Sequence, residues 1–334
     1  MKPFIFALIG ILYAQEHKTH FINVEESVKL EVLEWPGAGR NVVLLTGSGN
    51  SAHVYDDFAR KMNGCCHVYA ITRRGFGHSD HPDTGYDNQR LSDDVLQVIR
   101  ALKIDKPVII GHSMAGGEMT TLGAQHSDEL AGLVYLDAGA DPADFPWSDP
   151  AYREIVGKLN KLSPPQPSPA ANERMSSYQA YREWQLEREH FAFCEHEVRN
   201  VYDTNADGTI GPYRTPNSVR AAIDKGSVKR DYSNIRVPVL SIFATPDAPN
   251  GEAKSRGEEF LAAGKIENEM RMKFIRRYED SLRKAVPTAR ILEWPGANHY
   301  VFLAQEAQTL REVLDFLNQL AISRGTPPHA APPK

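Results

Sequence analysis

Ser113 sits in Gly111-His112-Ser113-Met114-Ala115-Gly116, directly after the apolar run Pro107-Val108-Ile109-Ile110 and before a stretch with helical character. A strand that turns sharply into a helix presents the residue at its apex, and a serine there becomes a nucleophile when a base takes its proton. Small residues suit such a turn. The serine backbone is held strained, side chains at 111 or 115 would crowd it, and Ala115 is the largest residue readily accepted. Two further residues supply the rest of the chemistry. His299 follows the strand-like Arg290-Ile291-Leu292-Glu293-Trp294 and the turn Pro295-Gly296-Ala297-Asn298, and is the candidate base. Asp247 follows the β-rich run Val237 to Phe243 and Ala244-Thr245-Pro246, and is the candidate orienting acid. Asp137, at the end of Leu133 to Leu136, is a second carboxylate in a comparable position, read first as a loop or capping residue. In this arrangement His299 removes the Ser113 proton, Asp247 fixes the imidazole, and an acyl-enzyme forms that water resolves.

Bringing these groups together takes strands whose C-terminal ends share one edge. Strand-like stretches occur at Phe21 to Val24, Ser27 to Leu33, Val42 to Leu45, His67 to Thr72, Val108 and Leu133 to Leu136, with helical patterns near Val54 to Met62, Asn88 to Ala101 and 114 to 125. Such alternation predicts a mainly parallel sheet covered on both faces, with the site at the strand C-termini. Between Asp141 and about Asn234 the pattern breaks. Prolines 142, 146, 150, 164, 165, 167 and 169 punctuate helical stretches at Tyr152 to Leu162 and Asn172 to about Val201. Of the aromatic residues there, Tyr181, Trp184 and Phe191 have the spacing of helix packing, while Trp147 and Trp184 are candidates for an apolar pocket over Ser113.

With the order Ser113, Asp247, His299, the chain resembles the α/β-hydrolases from about Val24 to Leu320, apart from the middle stretch. The resemblance implies an α/β fold with a mainly parallel, doubly wound sheet and a helical lid insertion: core 15–140, lid 141–234 and core 235–322. Val42 to Gly49 resembles the strand and loop that carry His-Gly-x-Pro in the family, with Thr46 in place of the histidine and Gly49 of the proline. By position it implies the Ser48 N–H as one oxyanion donor and the Met114 N–H as the other. Arg74-Gly75-Phe76-Gly77-His78-Ser79 resembles the family's structural Arg-Gly-x-Gly-x-Ser turn. The implied activity is hydrolysis of a small to medium apolar carboxylic ester or lactone, with no metal or organic cofactor. Lyases, cofactor-free perhydrolases and triad-retaining ligand receptors share the fold and remain alternatives.

Composition restricts the partners. The 334 residues are 41% hydrophobic with a net charge of -5, which allows a large core and offers no basic face for nucleic acid. The partner expected is a small molecule, with no stable membrane partner after processing and no oligomeric state indicated. Lys2 followed by the apolar Phe4 to Tyr13 and Ala14 fits a signal peptide over 1–14, hence an exported protein. The proline-rich 323–334 is expected to be a disordered tail. Cys65 and Cys66 precede a strand that separates them from Cys194 by roughly 17–20 Å, so buried thiols are expected rather than a pair with Cys194, with a strained Cys65–Cys66 bridge as the alternative. Asp203 to Gly208 imitates a calcium loop but has Arg214 at its twelfth position, and is read as an Asx-rich turn. The hexapeptide Leu-Glu-Trp-Pro-Gly-Ala occurs at 33–38 and again at 292–297, with no longer repeat around it.

Overall fold

The computed structural model describes residues 17–139, 146, 149–163, 169–247 and 255–322. Its strands are β1 (Lys18–Glu25), β2 (Val28–Trp35), β3 (Arg40–Leu45), β4 (Cys66–Ile71), β5 (Val108–His112), β6 (Gly132–Leu136), β7 (Tyr202–Thr204), β8 (Ile210–Tyr213), β9 (Val239–Thr245) and β10 (Arg290–Pro295). Eight of them form one sheet in the order β1-β2-β4-β3-β5-β6-β9-β10, and β7 pairs with β8 as a separate hairpin. Pairings are antiparallel as far as β2–β4 and parallel from β4 to β10. The helices are α1 (Asp56–Met62), α2 (Asn88–Ala101), α3 (Ala115–His126), α4 (Pro150–Leu162), α5 (Ala171–Arg174), α6 (Tyr178–Glu189), α7 (Glu195–Val201), α8 (Asn217–Gly226), α9 (Glu258–Ala285), α10 (Val301–Ala304) and α11 (Glu306–Ile322).

The central strands are apolar without alternation because both faces are covered. Val42, Leu44, Ile110 and Val134 pack with Phe58 of α1 and Phe316 of α11 on one side. Their neighbours Val43, Leu45, Ile109 and Leu133 pack with Val95 and Ile99 of α2 and Met119 and Leu122 of α3 on the other. The period-two exchange of faces thus builds a three-layer sandwich from short strands. Among the described residues, no helix is long and apolar enough to cross a membrane.

Between β6 and β9 the chain departs from the alternating pattern, as expected, but in more pieces than expected. The single helix predicted from Asn172 to Val201 is divided into α5, α6 and α7. Ser177 caps α6 by accepting from the Ala180 N–H, and His190 closes it in the left-handed conformation at φ +62°. The calcium-like stretch is the turn of the β7–β8 hairpin: Asp207 Oδ1 accepts from the N–H and hydroxyl of Thr209, at 3.0 and 2.7 Å. The three cysteines are free, with Cys65 and Cys66 Sγ 3.2 Å apart. The signal-peptide stretch, the C-terminal tail and Trp147 lie outside the described residues. The two hexapeptides each end a strand, β2 and β10. Since β2 runs against β4 and β10 runs with β9, they occupy opposite edges of the sheet.

Candidate active site

β5 stops at His112 and α3 starts at Ala115, so Ser113 and Met114 alone make the turn between them. Ser113 has φ +54°, a left-handed conformation that an L-residue adopts only when its surroundings enforce it. The enforcement is visible atom by atom. A Cβ on Gly111 would lie 2.5 Å from Met119 Sδ, and one on Gly116 would lie 1.9 Å from the Ala138 carbonyl. The Ser113 N–H donates to the Leu136 carbonyl at 3.3 Å, which ties the apex to the end of β6.

His299, three residues beyond Gly296 on the loop after β10, reaches across to this apex. Its Nε2 lies 2.9 Å from Ser113 Oγ and its Nδ1 lies 2.6 Å from Asp137 Oδ2. The carboxylate beside the imidazole is therefore that of Asp137, which corrects the expectation that placed Asp247 there. Asp137 directly follows β6 with φ +45°; its N–H donates to the Ile242 carbonyl at 2.8 Å, and its Oδ1 accepts from the Ala244 N–H at 3.0 Å. Those two bonds to β9 aim the second carboxylate oxygen along the strand ends toward His299. Asp247 lies two residues beyond β9, where its carboxylate flanks Gly296 and its carbonyl accepts from Asn268 Nδ2 at 3.1 Å.

Ser113, Asp137 and His299 open into a cleft of about 620 Å³. Ser48 and Met114 line it, and among the described residues neither of their N–H groups has a hydrogen-bond partner. Phe243, Phe274, Ile275 and Tyr278 give the cleft an apolar wall, while Arg220, Asp224 and Arg271 place charges at its rim. Trp184 is not part of this lining. It packs on Tyr181 at 5.6 Å and carries the guanidinium groups of Arg174 and Arg188 on its ring, so its surface serves the packing of α6.

Residues the sequence reading passed over hold this geometry. Arg73, just past β4, makes a bidentate pair with Glu118 of α3 at 2.6 and 2.8 Å and donates to the Thr46 carbonyl at 2.8 Å, locking the elbow helix to the Ser48 loop. Burial raises the Glu118 carboxyl above the ordinary range while Arg73 pulls it down. His112 is fully buried, and burial, reinforced by the neighbouring His299, holds it well below the usual imidazole range. It is therefore neutral and donates from Nε2 to the His299 carbonyl at 3.0 Å, pinning the backbone of the candidate base. Glu197 of α7 is buried against the loop after β3, where it accepts from Asn50 Nδ2 at 2.9 Å, the Ser51 N–H at 3.1 Å and the Ser51 hydroxyl at 2.5 Å. Burial pushes its pKa up to about 7 against those hydrogen bonds. None of these pairings leaves a local signature, because each joins positions 27 to 187 residues apart.

Residues 42–313 match the model of a known family, the alpha/beta hydrolase family. The chain belongs to that family. Among curated relatives, a 2-(acetamidomethylene)succinate hydrolase of Mesorhizobium japonicum is 27% identical over 101 residues, 30% of this chain and 36% of that protein. A non-heme chloroperoxidase of Kitasatospora aureofaciens is 29% identical over 115 residues, 34% of this chain and 42% of its own. The chain thus spans less than half the length of either relative. Among solved structures, an E-2-(acetamidomethylene)succinate hydrolase superposes with TM-score 0.64 at 18% identity, covering 90% of this chain and 99% of that one. An N-acyl homoserine lactone degrading enzyme gives 0.55 at 19% identity, covering 89% and 100%. At those identities the likeness is one of fold.

Proposed function

We propose that this member of the family is a serine hydrolase that cleaves a small to medium carboxylic ester or lactone through an acyl-enzyme on Ser113. The observation that carries the reading is the continuous line from Asp137 Oδ2 through both ring nitrogens of His299 to Ser113 Oγ. With Nδ1–H donating to Asp137, the lone pair of Nε2 faces the serine hydroxyl and takes its proton as Oγ attacks the carbonyl carbon. The Ser48 and Met114 N–H groups receive the oxyanion, the imidazolium returns its proton to the leaving alkoxide, and water repeats the cycle on the acyl group. The aromatic wall suits an apolar acyl body.

The rim adds a feature the sequence reading did not contain. Among the described residues Arg220 has no carboxylate within ion-pair distance, and the only one near Arg271 is Glu267 at 3.8 Å, which already accepts from Tyr152. Two such guanidinium groups over an apolar cleft favour a substrate with an acidic group at its far end. A relative named for an acetamido-bearing succinate supports a second reading in which the scissile bond is an amide, with the same guanidinium pair receiving the acidic group. On this proposal the insertion that supplies Arg220 acts as a lid, and the apolar N-terminal stretch directs export.

A fluorophosphonate probe tests the reaction class. Labelling is expected at Ser113, read by peptide mass, and is expected to vanish in Ser113→Ala. A hemisuccinate aryl ester should be turned over about tenfold better than the neutral aryl acetate, a difference of about 1.4 kcal/mol that Arg220→Ala or Arg271→Ala removes. Labelling without turnover of any ester, lactone or amide would overturn hydrolysis in favour of a lyase or a ligand receptor.

A further inference from the structure

A second cluster of reactive side chains lies outside the cleft, assembled from three distant parts of the chain. His17 immediately precedes β1, His53 and Asp56 belong to the turn that enters α1, and His196 opens α7 in the insertion. Asp56 Oδ2 is 3.2 Å from His53 Nδ1 and 3.0 Å from His196 Nδ1, and Asp56 Oδ1 is 3.7 Å from His17 Nδ1. The three histidine rings stand edge to face, with centroids 5.0 to 6.4 Å apart. One donor atom each from His17, His53 and Asp56 fall within 4.8 Å of one another. Zinc holds nitrogen and oxygen donors at about 2.0–2.2 Å in a tetrahedron, which puts neighbouring donors roughly 3.3 Å apart. The spacings around Asp56 bracket that value.

A second observation points to a ligand. Asp56 is 1% exposed, and its Oδ1 accepts no hydrogen bond from any described residue. A buried carboxylate oxygen left in that state is costly, and a cation bound there would satisfy it. The remaining nitrogen of His53 faces Glu31 at 3.9 Å, where an outer carboxylate sets the orientation of a ligating imidazole. Cys194 Sγ lies 3.8 Å from Asp56 Oδ2, a soft donor at the edge of the cluster. Three imidazoles and one carboxylate suit zinc, whereas calcium and magnesium require shells of oxygen.

We propose that His17, His53, Asp56 and His196 form a structural zinc site that fastens the N-terminal strand and the insertion to the turn after β3. The site is separate from the serine chemistry and holds whether or not the proposed hydrolysis does.

Titration of the chelator-stripped full chain with Zn²⁺ tests it by calorimetry and thermal melting, and titration with Co²⁺ by visible absorption. One Zn²⁺ per chain, a raised melting temperature and the intense d–d bands of tetrahedral Co²⁺ are expected. His17→Gln at a mostly buried position and His196→Gln at an exposed one, both checked for native circular dichroism, should each weaken Zn²⁺ by at least about tenfold and remove the tetrahedral bands. Two results would overturn the site: no saturable binding by the parent chain, or unchanged affinity in both variants. The first would leave a hydrogen-bonded His–Asp cluster, and the second would put the metal elsewhere.

Discussion

Replacing Asp137 with asparagine is the sharpest probe of the candidate site, because its two carboxylate oxygens serve two different donors. Oδ2 faces His299 Nδ1 at 2.6 Å and Oδ1 accepts from the Ala244 N–H at 3.0 Å. An amide cannot reproduce both. With its NH₂ toward His299 it selects the tautomer whose proton sits on Nε2 and blocks the lone pair that Ser113 needs. With its oxygen toward His299 the tautomer is right, but the NH₂ meets the Ala244 N–H, donor against donor, at a cost of about 1–3 kcal/mol. That cost leaves the competent orientation at roughly 1–15% of molecules, and the survivors lack the negative charge that stabilises the imidazolium. The combined loss should be about 10³–10⁴-fold in kcat, or about 4–5.5 kcal/mol of barrier. Folding should survive, since asparagine tolerates the φ of +45° found at this position. Asp247→Asn should change kcat by no more than a few fold. The assay is aryl acetate hydrolysis under saturating conditions, with circular dichroism to confirm the fold. If Asp247→Asn proved the more damaging of the two, the assignment of the acid would be wrong.

Stability should carry the signature of Glu197, whose pKa is raised from 4.5 to about 7 by burial. The folded state then binds its proton more tightly than the unfolded state, so this contribution is present below about pH 4.5 and is lost as pH rises to about 7. Glu197→Gln keeps an acceptor for Asn50 and the Ser51 N–H, and thermal melting between those pH values should show a shallower decline than the parent; an unchanged slope would refute the burial argument. Gly116→Ala should destabilise by about 1–3 kcal/mol and suppress ester turnover, since its Cβ would press on the carbonyl beside Asp137. Gly157→Ala in α4, with nothing within 4 Å of the new Cβ, should instead raise stability by about 0.5–1 kcal/mol in denaturant titrations.

The elbow was legible from residues 107–116 because its causes are local: an apolar strand, small residues where the backbone closes, and a serine between them. The sheet was legible for a similar reason, as strands covered on both faces show unbroken apolar runs. The carboxylate facing His299 was not. Asp137 and Asp247 both stand just past the C-terminal ends of neighbouring parallel strands, β6 and β9. What separates them is the left-handed turn at Asp137 and the Ala244 N–H that orients it, a contact across 107 positions. Trp184 was misplaced because an aromatic residue at helical spacing has the same pattern whether it faces a cleft or two arginines. Arg73 and Glu197 escaped notice because their partners are fixed only when loop, elbow helix and insertion meet.

Seating the carboxylate on β6 also changes which part of the chain is free to vary. On the proposed mechanism, nucleophile and acid rise from adjacent strands joined by the Ser113-to-Leu136 hydrogen bond, so the members of the proton relay come from the ends of β5 and β6 and the loop bearing His299, with β9 contributing only the backbone bonds that aim Asp137. The segment after β9 carries no member of that relay, though it leads into α9, whose Arg271, Phe274, Ile275 and Tyr278 wall the cleft. Selection acting on substrate preference therefore has a long stretch of chain to rewrite at little risk to turnover. Two hydrolases built on this plan would diverge first there, keeping their chemistry while exchanging what they recognise.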